Sequence, residues 1–162
     1  MLTNNQLDEI KTTPTSTPTI TPFLWFESQA QEAAKFYVSI FPYSKLITDS
    51  PFICEIELQG QKFSLLNGGA YDKFNDSISW VISTESQEET DYYWNKFIDN
   101  GGKPKRCGWL TDKFGMTWQV VPKRLAELMT DPNPAKSDKV RAAMMKMVKI
   151  DIKGLEKAYN EG

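Results

Sequence analysis

Two side chains stand out as candidates for covalent or acid-base chemistry: Cys107, in the run Lys105-Arg106-Cys107, and Asp72, in the glycine-containing connection LNGGAYDKF. A thiol next to two cations is helped as a nucleophile if it is exposed. A loop carboxylate is the best general base left when stronger candidates are missing. They are missing here, because the 162 residues contain no histidine. That removes the commonest general base, the usual activator of serine and cysteine nucleophiles, and the commonest transition-metal ligand. Ser-His-Asp, Cys-His and His-rich zinc chemistry are therefore excluded. Two cysteines, Cys54 and Cys107, cannot alone form a four-ligand structural zinc site. Cys54, inside the apolar run FICEIEL, reads as a small buried hydrophobe, and no disulfide is expected. Gly68 and Gly69 have two readings: an anion nest of backbone amides, or a linker that needs left-handed or extended geometry and no ligand.

The elements that must position these residues come in two sets. TITPFLWFE is rich in β-formers, and SQAQEAAKFYVSIFP follows as a helix, with Ser28 expected as its N-cap and Pro42 as its stop. Three short strands follow, SKLIT, FICEIELQ and QKFSLLN, the last two joined by a tight turn at Gln59-Gly60. The pattern then recurs: strand SISWVIST, helix SQEETDYYWNKFIDNGG, a short KRCG, then WLTDK and TWQVVP. Aligning the helices sets Glu32 on Glu88, Phe36 on Tyr92 and Tyr37 on Tyr93, each 56 residues on. Aligning the last strands sets Gly60 on Gly115, Phe63 on Trp118 and Leu65 on Val120, each 55 on. A nearly constant offset through helix and hairpin predicts an α+β fold of two tandem βαβββ modules. The expected layout is an N-terminal extension over residues 1–17, a first module over 18–67, a linker over 68–76, a second module over 77–122 and C-terminal helices over 123–162. One of these, NPAKSDKVRAAMMKMVK, carries a methionine-rich face that suits packing on the chain's own sheet or contact with a partner.

Composition is that of an ordinary globular domain, 40% hydrophobic and 25% charged. The formal net charge of −2 gives no electrostatic reason for nucleic-acid binding, and KPKR, residues 103–106, is too short to alter that. No run approaches 18 apolar residues and the N-terminus lacks the pattern of a signal peptide, so no membrane association and a cytoplasmic location are expected.

The stretches TPFLWFESQAQEAAKFYVSIFP, LNGG, CGWLTDKFGMTWQVVP and DPNPAKSDKVRAAMMKMVKIDI resemble the PhnB-like branch of the vicinal oxygen chelate superfamily, which holds glyoxalases, extradiol dioxygenases and antibiotic-resistance binding proteins. The likeness is read from about Thr19 to Leu155. It implies that each module curls its four strands into half of a cup, and that cups pair in a homodimer. Many members carry a name implying a ubiquinone-related methyltransferase, yet no G-x-G turn between strand and helix occurs here for a nucleoside cofactor. No cofactor is expected.

In the superfamily, metal ligands occupy the first and last strand of each module. Those positions fall here on Thr21 and Ser64, then Ser77 and Gln119. All four are neutral donors, without the imidazole or carboxylate that divalent transition metals prefer, so no metal site is expected. Strand alternation puts Phe23, Trp25, Lys62, Leu66, Ser79, Val81, Thr117 and Val121 on the same cup-facing side, and Leu24, Phe26, Phe63, Leu65, Ile78, Trp80, Trp118 and Val120 on the other. An aromatic cup with a few neutral hydrogen-bonding groups and one cation, Lys62, suits a small organic molecule with an apolar body and a polar edge. The alternatives are a cup filled by its own side chains, an enzyme in which Asp72 or Cys107 acts on a substrate over Gln119, and an interaction module that works through the C-terminal helices.

Overall fold

The computed structural model describes residues 20–161; the expected N-terminal extension lies outside them. The first module runs β1 (Phe23–Phe26), α1 (Ala30–Ile40), β2 (Lys45–Asp49), β3 (Ile53–Leu58) and β4 (Gln61–Asn67). The second runs β5 (Trp80–Thr84), α2 (Gln87–Ile98), β6 (Lys103–Pro104), β7 (Trp109–Thr111) and β8 (Thr117–Pro122). Each forms a four-stranded sheet, ordered β1-β4-β3-β2 and β5-β8-β7-β6. In both, the first strand pairs parallel to the last and the others are antiparallel. The helix supplies the crossover that a parallel pair needs.

Alternation along the strands buries one face of each sheet, with Leu24, Phe26, Phe63 and Leu65 in the first and Ile82, Trp118 and Val120 in the second. All seven join one core with the apolar stripes of the two helices. Phe36 of α1 meets Phe97 of α2 at 6.0 Å between ring centroids, Phe41 stacks on Tyr93 at 5.3 Å, and Tyr37 lies 5.3 Å from Trp118 of β8. The first helix therefore touches its own sheet, the other helix and the other sheet, and the helices fill the space between the backs of the two sheets. Ile78 departs from the expected pattern: β5 begins only at Trp80, so Ile78 sits in the preceding loop and is 64% exposed.

A buried carboxylate ties the modules together. Asp112, in the β7–β8 turn, accepts from Tyr37 Oη (2.7 Å) and Trp118 Nε1 (2.9 Å) on one oxygen, and from the backbone N–H groups of Phe114 (2.9 Å) and Met116 (3.0 Å) on the other. Burial pushes this carboxyl above the ordinary aspartate value, and the four donors only partly oppose the shift.

The helix start expected at Ser28 lies elsewhere. The first turn of α1 is capped from another strand, Asn67 Oδ1 accepting from the Ala30 N–H at 2.8 Å. Ser86 does cap α2, accepting from the Glu89 N–H. The strand expected at KRCG is displaced to Lys103–Pro104, and Cys107 takes a left-handed φ of 60°.

After β8 come α3 (Lys123–Met129), α4 (Pro134–Met144) and α5 (Ile152–Asn160), around a separate small core of Leu125, Leu128, Val140, Ile150 and Leu155. Asn133 caps α4 with proline at its first position, and Asp151 caps α5. The stretch between α4 and α5 is stitched to the second module. Met147 and Val148 carbonyls accept from the N–H groups of Cys107 (2.9 Å) and Gly108 (2.7 Å). The Gln87 side chain bonds both Ile150 O and Ile152 N–H. Gly108 has φ +79°, and a Cβ there would fall 2.7 Å from Val120 O, so only glycine fits. Among the described residues, no helix is long and apolar enough to cross a membrane.

Candidate ligand cavity

The loop that joins the modules is held at several points. Trp25 Nε1 donates to Gly69 O (2.8 Å), and the indole lies flat on Gly68, where an added Cβ would fall 2.3 Å from its ring carbons. Gly68 thus makes room for an aromatic ring, and the N–H groups of Gly68 and Gly69 already donate to Phe26 O and Glu27 O, which supports the linker reading over an anion nest. Further along, Asp76 bonds Lys105 and accepts from Thr117 Oγ1 (2.7 Å), and Phe74 meets Phe26 edge-on at 5.0 Å. The Lys105 and Thr117 hydrogen bonds hold the Asp76 carboxyl below its usual value.

Anchored this way, the loop closes a cavity of about 480 Å³ between the leading ends of β1 and β5. Phe23, Trp25, Phe74, Ile78, Trp80 and Met116 supply its apolar wall, and Asn75, Ser77 and Lys73 its polar groups. Trp25, Lys73 and Phe74 also bound a smaller space of about 220 Å³ that includes Glu27, Gln29 and Asp72.

The residues singled out from sequence divide among several places. Phe23, Trp25 and Ser77 meet in the larger cavity, and exposed Asp72 borders the smaller one. Thr21 is exposed ahead of β1. Ser64 and Leu66, half-buried, lie opposite Phe23 and Trp25, and Lys62 is exposed beyond them. Phe23 faces Ser64 as Val81 faces Gln119, so counting back two residues makes Ser79, not Ser77, the equivalent of Thr21. Ser79 is the residue that meets Gln119, accepting from Nε2 at 2.8 Å. Thr117 is fully buried and committed to Asp76. Val121 packs into the C-terminal core rather than lining an open face. Cys107 lies against Met145, its Sγ 3.8 Å from Sδ, and neighbouring Lys105 is engaged with Asp76.

Phe74, which with Tyr71 and Asp72 is expected from sequence at the cup mouth, does line the cavity; sequence reasoning missed Lys73, Asn75 and Met116, and Glu55 and Trp109, which sit across from Ser64 and Gln119. The hairpin register held the signal for the last two. For the loop residues, only the isolated apolar Phe74 amid polar punctuation hinted at an inward turn.

Two βαβββ modules with parallel first and last strands, packed through their helices, define a protein of the vicinal oxygen chelate fold. A family model described as 3-demethylubiquinone-9 3-methyltransferase matches residues 18–121, and the chain belongs to that family. A PhnB protein from Bacillus cereus is similar at 27% identity, TM-score 0.58, over 65% of this chain and 99% of its own. A Pseudomonas aeruginosa protein shares the fold at 17% identity, TM-score 0.55, over 65% and 98%. The fosfomycin resistance protein FosX of Listeria monocytogenes, solved with Mn(II) and sulfate, shares it at 14% identity, TM-score 0.52, over 66% and 90%. No curated protein matches the chain. The family match stops short of the C-terminal helices, which the sequence resemblance had included as far as Leu155.

Neither group implied by these relatives fits the residues present. Thr21, Ser64, Ser79 and Gln119 are neutral oxygen ligands, with neither imidazole nor carboxylate among them, so this set does not suit a divalent transition metal. Among the described residues, no three His, Cys, Asp or Glu side chains gather as a metal site requires. In a Rossmann-type methyltransferase, the methyl donor implied by the family's description sits on a glycine-rich turn leading from a strand of a parallel sheet into a helix. The two mixed sheets here supply none.

Proposed function

We propose that the protein binds a small organic molecule, independently of any metal, in the cavity between β1 and β5, and that it does so as a cytoplasmic homodimer. One observation carries the reading: three residues chosen from sequence, Phe23, Trp25 and Ser77, converge on an apolar space of about 480 Å³, within the range typical of small-molecule sites. The dimer is supported by apolar side chains on the sheet faces turned away from the helices, with Phe23 58% and Val81 57% exposed. A reducing compartment is supported by two free thiols. Native mass spectrometry of the purified protein, with elemental analysis, tests all of this together. The expected result is a dimer with an organic adduct and no stoichiometric metal. Stoichiometric metal would overturn the reading.

An enzymatic variant keeps one specific observation. Asp72 borders the smaller space next to the cavity, with Trp25, Lys73 and Phe74 as shared walls. If chemistry occurs there, Asp72→Asn abolishes turnover and spares binding.

A further inference from the structure

Lys73 is the sole charged side chain among the residues that line the larger cavity. It is exposed, lies on the wall shared with the smaller space, and is paired with no carboxylate among the described residues. Around it stand one amide and one hydroxyl, Asn75 and Ser77, and the rest of the wall is aromatic or aliphatic. The loop carrying all three polar groups is fixed at Gly69, ahead of them, and at Asp76, between Asn75 and Ser77, so their placement is part of the fold. We infer that the ligand is an aromatic monocarboxylate: its ring lies among Phe23, Trp25, Ile78 and Trp80, and its carboxylate is held by Lys73 with Ser77 and Asn75 as neutral donors. A single cation at the edge of an apolar chamber selects one negative charge on an otherwise apolar body, because desolvating a second charge there would go uncompensated. Two carboxylates, Glu27 and Asp72, border the smaller space with Lys73, and neither lines the larger cavity.

This inference rests on the cavity being the binding site, and its test separates the two. The full-length chain is titrated at low ionic strength with three probes of one shape: 2-naphthoate, the neutral 2-naphthylmethanol and the cationic 2-naphthylmethylamine. Binding is followed by tryptophan fluorescence and calorimetry. The expected order is naphthoate tightest, by about fivefold over the alcohol, as one partly exposed charge-assisted contact provides. Lys73→Gln, a change at an exposed position, should erase that preference, lowering naphthoate affinity to that of the alcohol. Lys73→Glu should turn the preference toward the amine. Equal affinities for acid and alcohol, or a wild-type preference for the amine, overturn the inference and leave the cavity standing. Ile78→Trp, which fills the chamber from an exposed position, should abolish binding of all three probes. If it does not, or if no probe binds, the cavity itself is not the site and both readings fall.

Discussion

Replacing Tyr37 with phenylalanine deletes one oxygen from the bond that pins the first module to the second. The phenol donates to Asp112 at 2.7 Å from a side chain that is 1% exposed, so the substitution leaves no cavity larger than a hydroxyl and no new polar atom. What it removes is a buried hydrogen bond to a charged acceptor, which contributes roughly 1.5–3 kcal/mol. Asp112→Asn is harsher in kind. All four partners of the carboxylate are donors, so an amide nitrogen must face two of them, and the expected cost is about 3 kcal/mol or more. In the double variant the amide can turn its nitrogen toward the side that has lost the tyrosine donor. The combined loss should therefore fall short of the sum by about 1 kcal/mol. Urea unfolding of each variant, with the slope held constant, measures all three values. If Tyr37→Phe unfolds within about 0.3 kcal/mol of the wild type, or the two changes add within that margin, Asp112 does not join the modules as described.

The pH dependence of the same site follows from its raised carboxyl. The folded chain holds that proton more tightly than the unfolded one, so this contribution is complete below the unfolded value and is lost as pH rises through the folded one. The gap between wild type and Asp112→Asn should narrow across that window, and a constant gap refutes it. Gly68→Ala should cost about 1–3 kcal/mol by driving a Cβ into the Trp25 indole, with a shift in tryptophan emission; unchanged emission and stability would mean that the ring is not stacked there. Asn67→Ala removes both the cap on Ala30 and a bond to Pro51 O, and should lower the unfolding free energy by about 1–2 kcal/mol. Gln87→Ala cuts the two bonds to Ile150 and Ile152; hydrogen exchange should quicken over residues 145–161 before it does in the sheets, and uniform loss of protection would count against a separable helical unit.

The repeat in the sequence was enough to read the modules, because alternation in QKFSLLN and TWQVVP and the glycines of their hairpins are local signals. What failed depended on distant contacts. Ser28 looked like the cap of α1, yet Asn67, 37 residues beyond the Ala30 N–H it accepts from, does the capping. Ser77 took the place of Ser79 because nothing local marks where β5 begins, and only pairing with β8 sets that register. Val121 has the parity of an open face, but the small core of the three C-terminal helices covers it. The cavity was half legible for the same reason: Phe23 and Trp25 sit on a strand whose period can be counted, whereas Lys73 and Phe74 are placed by a loop whose anchors are Gly69 O and Asp76.

The shared helix layer has an evolutionary consequence. A polypeptide ending after β4 would turn Tyr37, Phe41 and Phe63 toward water, since the second module covers part of each. Such a half could persist only by pairing with another half. A gene for one self-associating module, duplicated and joined through a short bridge, would inherit the interface already made. The bridge running from Gly68 to Ser79 would then be the scar of that fusion, and a cavity walled by the bridge would be younger than either module that flanks it.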